Sequence, residues 1–228
     1  MPYYGTMRRT RCLAAVAALC LALSGCSSPD AAKKEAPAKA PPVAKDEKPP
    51  DIFQVLFDTS KGPVTVEIHR AWAPIGVDHF FQLVKIGYYD NCRFFRVTHS
   101  YVQFGINGNV QTNGLWSTAY LPDDPPLKPG AKQSNLKGTL TYAHLGANNR
   151  TTQVFFNLKN NKDLDSQGFA PIGKVLTGMD VVERLYNSYG DMPPRGQGPD
   201  PSKLELQGNA YLDARFPRLD FIKKATVQ

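Results

Sequence analysis

Two stretches, 53–60 and 64–69, alternate apolar and polar residues on either side of Lys61-Gly62-Pro63. Alternation of period two places one set of side chains on each face of a strand, and the Gly-Pro step breaks the run, so the pair predicts an antiparallel hairpin. Pro74 then stands where a helix can start without losing a hydrogen bond. Val77, Phe80, Phe81 and Val84 follow at steps of three and four and form one apolar helical stripe. Further apolar runs predict strands over 92–97, 101–106, 138–143, 154–158 and 170–176. A short second helix is expected over 179–186 after Gly178, and a closing strand within 219–227. The Gly- and Pro-rich stretch 187–202 reads as a long surface loop. The connection 107–135, with Pro122, Pro125, Pro126 and Pro129, is too long to be passive and is expected to help shape a site. No internal repeat is visible, and the pattern is that of a mainly β domain.

The first residues carry a different signal. Arg8, Arg9 and Arg11 form a basic leader, Cys12 to Ser24 is an apolar run of 13 residues, and Leu23-Ser24-Gly25-Cys26 ends it. Such a run falls short of the roughly 20 residues needed to span a bilayer but suits a secretory signal. The four closing residues resemble a bacterial lipobox, in which the cysteine is acylated and the chain is cut before it. Residues 1–25 are thus expected to be a lipoprotein signal peptide, and Cys26 a lipidated N-terminus anchoring the chain to a membrane at the bacterial cell envelope, facing the periplasm or the exterior. Residues 26–51 are Cys26 and an Ala-, Pro- and Lys-rich tether with five lysines against five acids. It has too few apolar residues to fold and is semi-extended by its prolines. Residues 52–228 remain as one domain, long enough for a core of its own.

The formal charge of +7 includes the three leader arginines, which leaves +4 on the rest, dispersed among acids. No stretch interleaves basic residues with aromatics as a nucleic-acid groove does, so nucleic acid is not an expected partner. Cys92 is the one cysteine outside the leader and lipobox, so the domain has no internal disulfide to draw on. Next to an apolar run, it reads as a small buried residue rather than a reactive thiol. His69, His79, His99 and His144 lack metal-ligand spacing, and nucleophile-elbow, phosphate-loop and dinucleotide motifs are absent. No metal and no organic cofactor is expected.

The chemistry lies in spaced blocks. Phe94-Phe95-Arg96-Val97 ends an aromatic strand with a charge. Gly138-Thr139-Leu140-Thr141-Tyr142-Ala143 leads through a Gly/Asn loop into Gln153-Val154-Phe155-Phe156-Asn157. Leu164-Asp165 and Gly168-Phe169-Ala170-Pro171-Ile172-Gly173-Lys174-Val175 follow in order. Together these blocks, from about Phe53 to Leu185, resemble the cyclophilin family of peptidyl-prolyl isomerases. That resemblance implies a closed eight-stranded antiparallel β-barrel capped by two α-helices, and it implies catalysis of rotation about X–Pro bonds in proline-containing polypeptides, by a monomer without a cofactor.

Rotation about such a bond is slow because amide conjugation sets a barrier of about 18–20 kcal/mol. A catalyst needs an apolar cup for the proline ring and a strong donor favouring the pyramidal nitrogen, and a guanidinium is always charged and rich in fixed donors. The resemblance puts Arg96 in that catalytic role, with Gln103 beside it. It puts Phe155 at the floor of the cup, Leu164 and Phe169 on its walls, and Tyr101 at an aromatic side. It also has Ala143 and His144 lining the strand that pairs with an extended peptide. Gln103 and Gln153 fall where the family's glutamines hold the arginine or the substrate backbone, and a purely structural hydrogen bond suits each equally well. Three departures stand out. The stretch from Arg96 to Gln103 is one residue shorter than usual and lacks its Pro-Gly, which leaves either Tyr101 or Ser100 at the pocket. Asp163 replaces an aromatic that contacts cyclosporin, which implies weak binding of that drug. His144 and Phe169 replace a commoner asparagine and histidine. The same groove also allows a second function, a peptide-binding or chaperone module with little turnover. A third, structural reading gives the 187–202 loop the contacts of an envelope tether.

Overall fold

The computed structural model describes residues 47–124 and 133–228. The leader, Cys26, most of the tether, and Pro125, Pro126 and Pro129 lie outside the described residues.

Eight strands form one antiparallel sheet: β1 (Ile52–Thr59), β2 (Gly62–His69), β3 (Arg96–Val97), β4 (Tyr101–Phe104), β5 (Thr139–Tyr142), β6 (Val154–Asn157), β7 (Pro171–Thr177) and β8 (Ile222–Val227). Their order across the sheet is β3-β4-β6-β5-β7-β2-β1-β8. The hairpin around Lys61-Gly62-Pro63 pairs in full register, Val55 opposite Val66 and Phe57 opposite Val64. Alternation sends Val55, Phe57, Val66 and Ile68 inward, all essentially without solvent exposure. Phe104 and Phe156 reach the same centre from β4 and β6, each meeting Phe57 edge to face, with ring centroids 5.7 and 6.1 Å away.

The expected closed barrel is corrected to an open half-barrel, because β3 and β8 end the ladder without pairing with each other as strands. The strand expected over 92–97 shrinks to Arg96–Val97. Its first part runs beside the entry to β8 instead, with an isolated bridge between Arg93 and Phe221 and backbone bonds from Asn91 to Ile222 and Phe94 to Asp220. Asn91 adopts a left-handed backbone (φ 61°), which turns the chain away from regular strand geometry there. At the far end of β4, Gly105 (φ 105°) stops the strand before Ile106, since a Cβ there would lie 2.4 Å from the Thr152 carbonyl oxygen.

Helix α1 (Pro74–Lys85) buries the stripe read from the sequence, together with His79 and Leu83. No side chain at Ala73 caps it. Asp124, far along the chain, does so instead, accepting from the Ile75 N–H at 2.6 Å, and the same carboxylate pairs with Arg150 at 2.5 Å. That pair is almost wholly buried. The second expected helix is the single short α3 (Met179–Glu183), and it is preceded by α2 (Val110–Trp116), which lies inside the 107–135 connection. α2 begins at Asn109, whose side chain accepts from the Thr112 N–H. Two further helices, α4 (Pro201–Gln207) and α5 (Asn209–Arg215), come after the 187–202 stretch begins to close, with Asp200 capping and Pro201 in the first turn. A second cluster of Phe95, Ile106, Leu204, Leu212 and Leu219 seats them against the sheet.

Candidate active site

A shortened hairpin places the first groove residues. Arg96 pairs with Gln103 and Val97 with Val102, and the Thr98 N–H closes the turn on the Tyr101 carbonyl at 3.0 Å. The Thr98 hydroxyl oxygen accepts from the Ser100 and Tyr101 N–H groups, taking the place of the missing Pro-Gly. This register sends Val102 and Phe104 to the core, and Tyr101 with Gln103 to the opposite face. Of the two residues left open by sequence, Tyr101 is therefore the one at the pocket. On neighbouring β6 the same alternation presents Phe155 beside Tyr101, ring centroids 5.7 Å apart.

All nine sequence-predicted groove residues line one cavity of about 660 Å³: Arg96, Tyr101, Gln103, Ala143, His144, Gln153, Phe155, Leu164 and Phe169. Phe155 and Phe169 meet edge to face at 5.9 Å, and His144 stacks on Phe169 at 4.0 Å. Burial pulls the His144 imidazole below its ordinary pKa, so it stands neutral over that wall. The Leu164–Phe169 wall is a 3-10 turn over Lys162–Gln167, fastened from beneath by Asn135. The fully buried Asn135 amide donates to Asp165 at 2.8 Å and to the Phe169 carbonyl at 2.9 Å, while its oxygen accepts from Thr141. Asp163, by contrast, is exposed and outside the cavity lining.

Arg96 lies at the edge of this cup with its side chain 8% exposed. One terminal nitrogen donates to Gln103 Oε1 at 3.0 Å, the other to the Tyr101 hydroxyl, and Nε donates to Asp191 Oδ1 at 2.6 Å. Because a guanidinium only donates, it fixes the Gln103 amide, whose nitrogen then reaches Gln153 Oε1 at 2.9 Å. The chain Arg96–Gln103–Gln153 thus connects the charge to the β6 side of the groove, and both glutamines line the cavity while bonding across the sheet.

Sequence reasoning missed several members of the lining. Ser117, Thr118 and Tyr120 come from α2 and its exit, Met192 and Arg195 from the 187–202 stretch, and Glu205 from α4. Asp191 was missed too, although the Gly-Asp-Met-Pro-Pro run carried a charged residue inside an otherwise loop-like segment. Elsewhere, Cys92 is fully buried and its thiol is pushed well up by burial, in line with a packing role. His79 is buried on α1 and held down to about 4 by that burial, whereas His69 stacks on Trp72 and bonds Glu67.

Among known proteins, residues 54–200 match the family model described as cyclophilin type peptidyl-prolyl cis-trans isomerase/CLD. A peptidyl-prolyl cis-trans isomerase of Acinetobacter baylyi is 31% identical over 138 residues, 58% of this chain and 71% of that protein. Peptidyl-prolyl cis-trans isomerase-like 1 of Aspergillus niger is 34% identical over 133 residues, 58% of this chain and 80% of its own. Among solved structures, a cyclophilin type isomerase of Cryptosporidium parvum superposes with a TM-score of 0.55 at 19% identity, covering 78% of this chain and 98% of its own. A second structure of that protein, in the presence of the dipeptide Ala-Pro, gives 0.54 at 18% identity, over 77% and 98% of the two chains. A match over more than half its length, across a range that includes the residues of the Arg96 groove, makes this chain a member of the cyclophilin-type peptidyl-prolyl cis-trans isomerases.

Proposed function

We propose that this chain isomerises X–Pro bonds in exported polypeptides at a bacterial cell envelope, held there by lipid on Cys26. One observation carries the catalytic part: a guanidinium fixed by its neighbours at the lip of an aromatic cup. In this reading Phe155 floors the proline pocket, Leu164 and Phe169 wall it, and Tyr101 forms the side nearest the charge. An extended peptide lies along Ala143 and His144, with Gln153 meeting its backbone. Arg96 donates toward the prolyl nitrogen, favours its pyramidal form over the conjugated plane, and so lowers the rotational barrier without breaking a bond. Gln103 holds the donor. The Cryptosporidium relative's second structure was determined in the presence of Ala-Pro, a dipeptide with the X–Pro bond of this chemistry.

The test is the cis/trans exchange rate of short X–Pro peptides measured by NMR. Catalysed exchange is expected for residues 52–228, and Arg96→Ala, confirmed folded, should slow it about 100-fold or more, in the range seen when a transition-state donor is removed. Binding without faster exchange would replace the enzyme by a peptide-holding module. The envelope part rests on the leader and lipobox pattern alone. Cys26→Ser should move the protein from the membrane to the soluble fraction, and an unchanged distribution would refute the anchor.

A further inference from the structure

Resting on the isomerase reading, we infer that Asp191 is a positioning residue for Arg96, supplied by the 187–198 loop to hold the guanidinium ready before any peptide arrives. The carboxylate Oδ1 lies 2.6 Å from Arg96 Nε and also accepts the Met192 N–H at 2.8 Å, while Oδ2 lies 3.4 Å from Arg195 Nε. Burial works against this carboxylate, but the Arg96 hydrogen bond and charge, the Met192 N–H and Arg195 outweigh it and hold it below the usual range. It is therefore an anion at every working pH.

The loop is built around this residue. The Gly198 N–H closes on the Asp191 carbonyl at 2.9 Å, and the chain passes so near that a Cβ on Gly196 would lie 2.2 Å from the same oxygen. The backbone that carries the Asp191 carboxylate is thus tied into the loop. With Asp191 on Nε, Gln103 on one terminal nitrogen and Tyr101 on the other, the guanidinium is tied along three directions. One N–H on each terminal nitrogen remains without a partner among the described residues and is available to a peptide. A long arginine side chain otherwise loses much rotamer freedom on engaging substrate, and fixing it beforehand moves that loss into folding. The carboxylate also offsets part of the guanidinium charge, so positioning and damping of the charge predict opposite outcomes.

Peptide exchange is measured with the wild type, Asp191→Ala, Asp191→Asn, Arg96→Ala and the Arg96→Ala/Asp191→Ala pair, alongside the 15N–1H signal of Arg96 Nε. Positioning predicts that Asp191→Ala lowers the rate at saturating peptide about tenfold or more. Asn, which keeps an acceptor, should stay within about threefold of the wild type. Once Arg96 is gone, removing Asp191 should change nothing further. The Nε–H signal should move on loss of the carboxylate and be restored in part by Asn. A folded Asp191→Ala protein with wild-type exchange and an unmoved Nε–H signal overturns the inference, and so does a rate increase in both Asp191 single variants, which would make Asp191 a damper. Should Asp191→Ala fail to fold, the Asn variant decides: a large rate loss there overturns positioning by shape. If the wild type does not catalyse exchange at all, the isomerase reading fails, and the Nε–H signal still tests whether Asp191 holds Arg96.

Discussion

The eight-stranded sheet and the flank of α4 and α5 meet near Arg96 and are held by different means. The sheet buries one continuous apolar core, centred on Phe57, Phe104 and Phe156. The flank rests on five buried residues and on polar ties, among them Asn209, whose backbone N–H donates to the Gly108 carbonyl at 2.9 Å and whose side-chain amide donates to the Asn91 carbonyl at 3.1 Å. Apolar area sets the strength of each, so the sheet should outlast the flank under stress. The difference also divides the site. Arg96, Gln103, Gln153 and Phe155 come from the sheet side, whereas Asp191 and Glu205 arrive from the flank side. The sheet side thus presents Arg96 and the aromatic wall of the cavity, and the flank side brings polar groups to their edge.

The largest effect that would sharpen this contrast lies under α1. Asp124→Ala leaves Arg150 as a buried charge without its partner and strips the first-turn cap, so unfolding free energy should fall by about 3–5 kcal/mol. Urea midpoints measure it, and a loss under about 1 kcal/mol, the size of an exposed pair, would mean that the polar strut is dispensable to the sheet.

Next comes acid. His79 has a folded-state value near 4 against an ordinary 6.5, so the unfolded chain binds a proton that the native chain refuses. The contribution of a neutral His79 to stability is therefore complete above pH 6.5 and is lost as pH falls toward 4, about 3 kcal/mol in all. Replacing His79 by Leu should flatten this slope between about pH 6.5 and 5. A slope unchanged by the substitution would place the titrating group elsewhere.

Leu212→Ala attacks the flank itself and should cost about 2 kcal/mol. Amides of 201–215 should then exchange with solvent before those of β1 and β2, and peptide turnover should fall with the loop that carries Asp191. Equal loss of protection in both regions would break the comparison and make the molecule one cooperative unit. The smallest effect is Tyr101→Phe, which removes one of the three ties on Arg96. About 1 kcal/mol, or roughly fivefold in kcat/KM, should be lost.

The strands and α1 were legible because their signals are local: alternation around Lys61-Gly62-Pro63, and the 3–4 spacing after Pro74, report directly which face is buried. The groove residues were legible through ordered blocks, each an ordinary apolar or polar position alone. The β4 register was not. A hairpin one residue short can be absorbed in its turn or passed along the strand, and only the Thr98 hydroxyl bonds settle that Tyr101 faces the cup. The helices at 110–116 and 201–215 escaped because they are short, with Gly114 and Gly208 breaking their periodicity. Their signals at Asn109 and Asp200-Pro201 are caps, which mark where a helix starts but not how far it runs.

The sequence by itself determined which residues the first hairpin and α1 turn inward, and the ordered blocks whose family resemblance implies one groove for Arg96, Phe155 and their neighbours. How far the sheet closes, the cap that Asp124 lends to α1, and the meeting of Asp191 with Arg96 were decided only by the tertiary structure. Each joins residues far apart in the chain, and such pairings depend on where loops bring the backbone back, a property of the whole packing that no local pattern encodes.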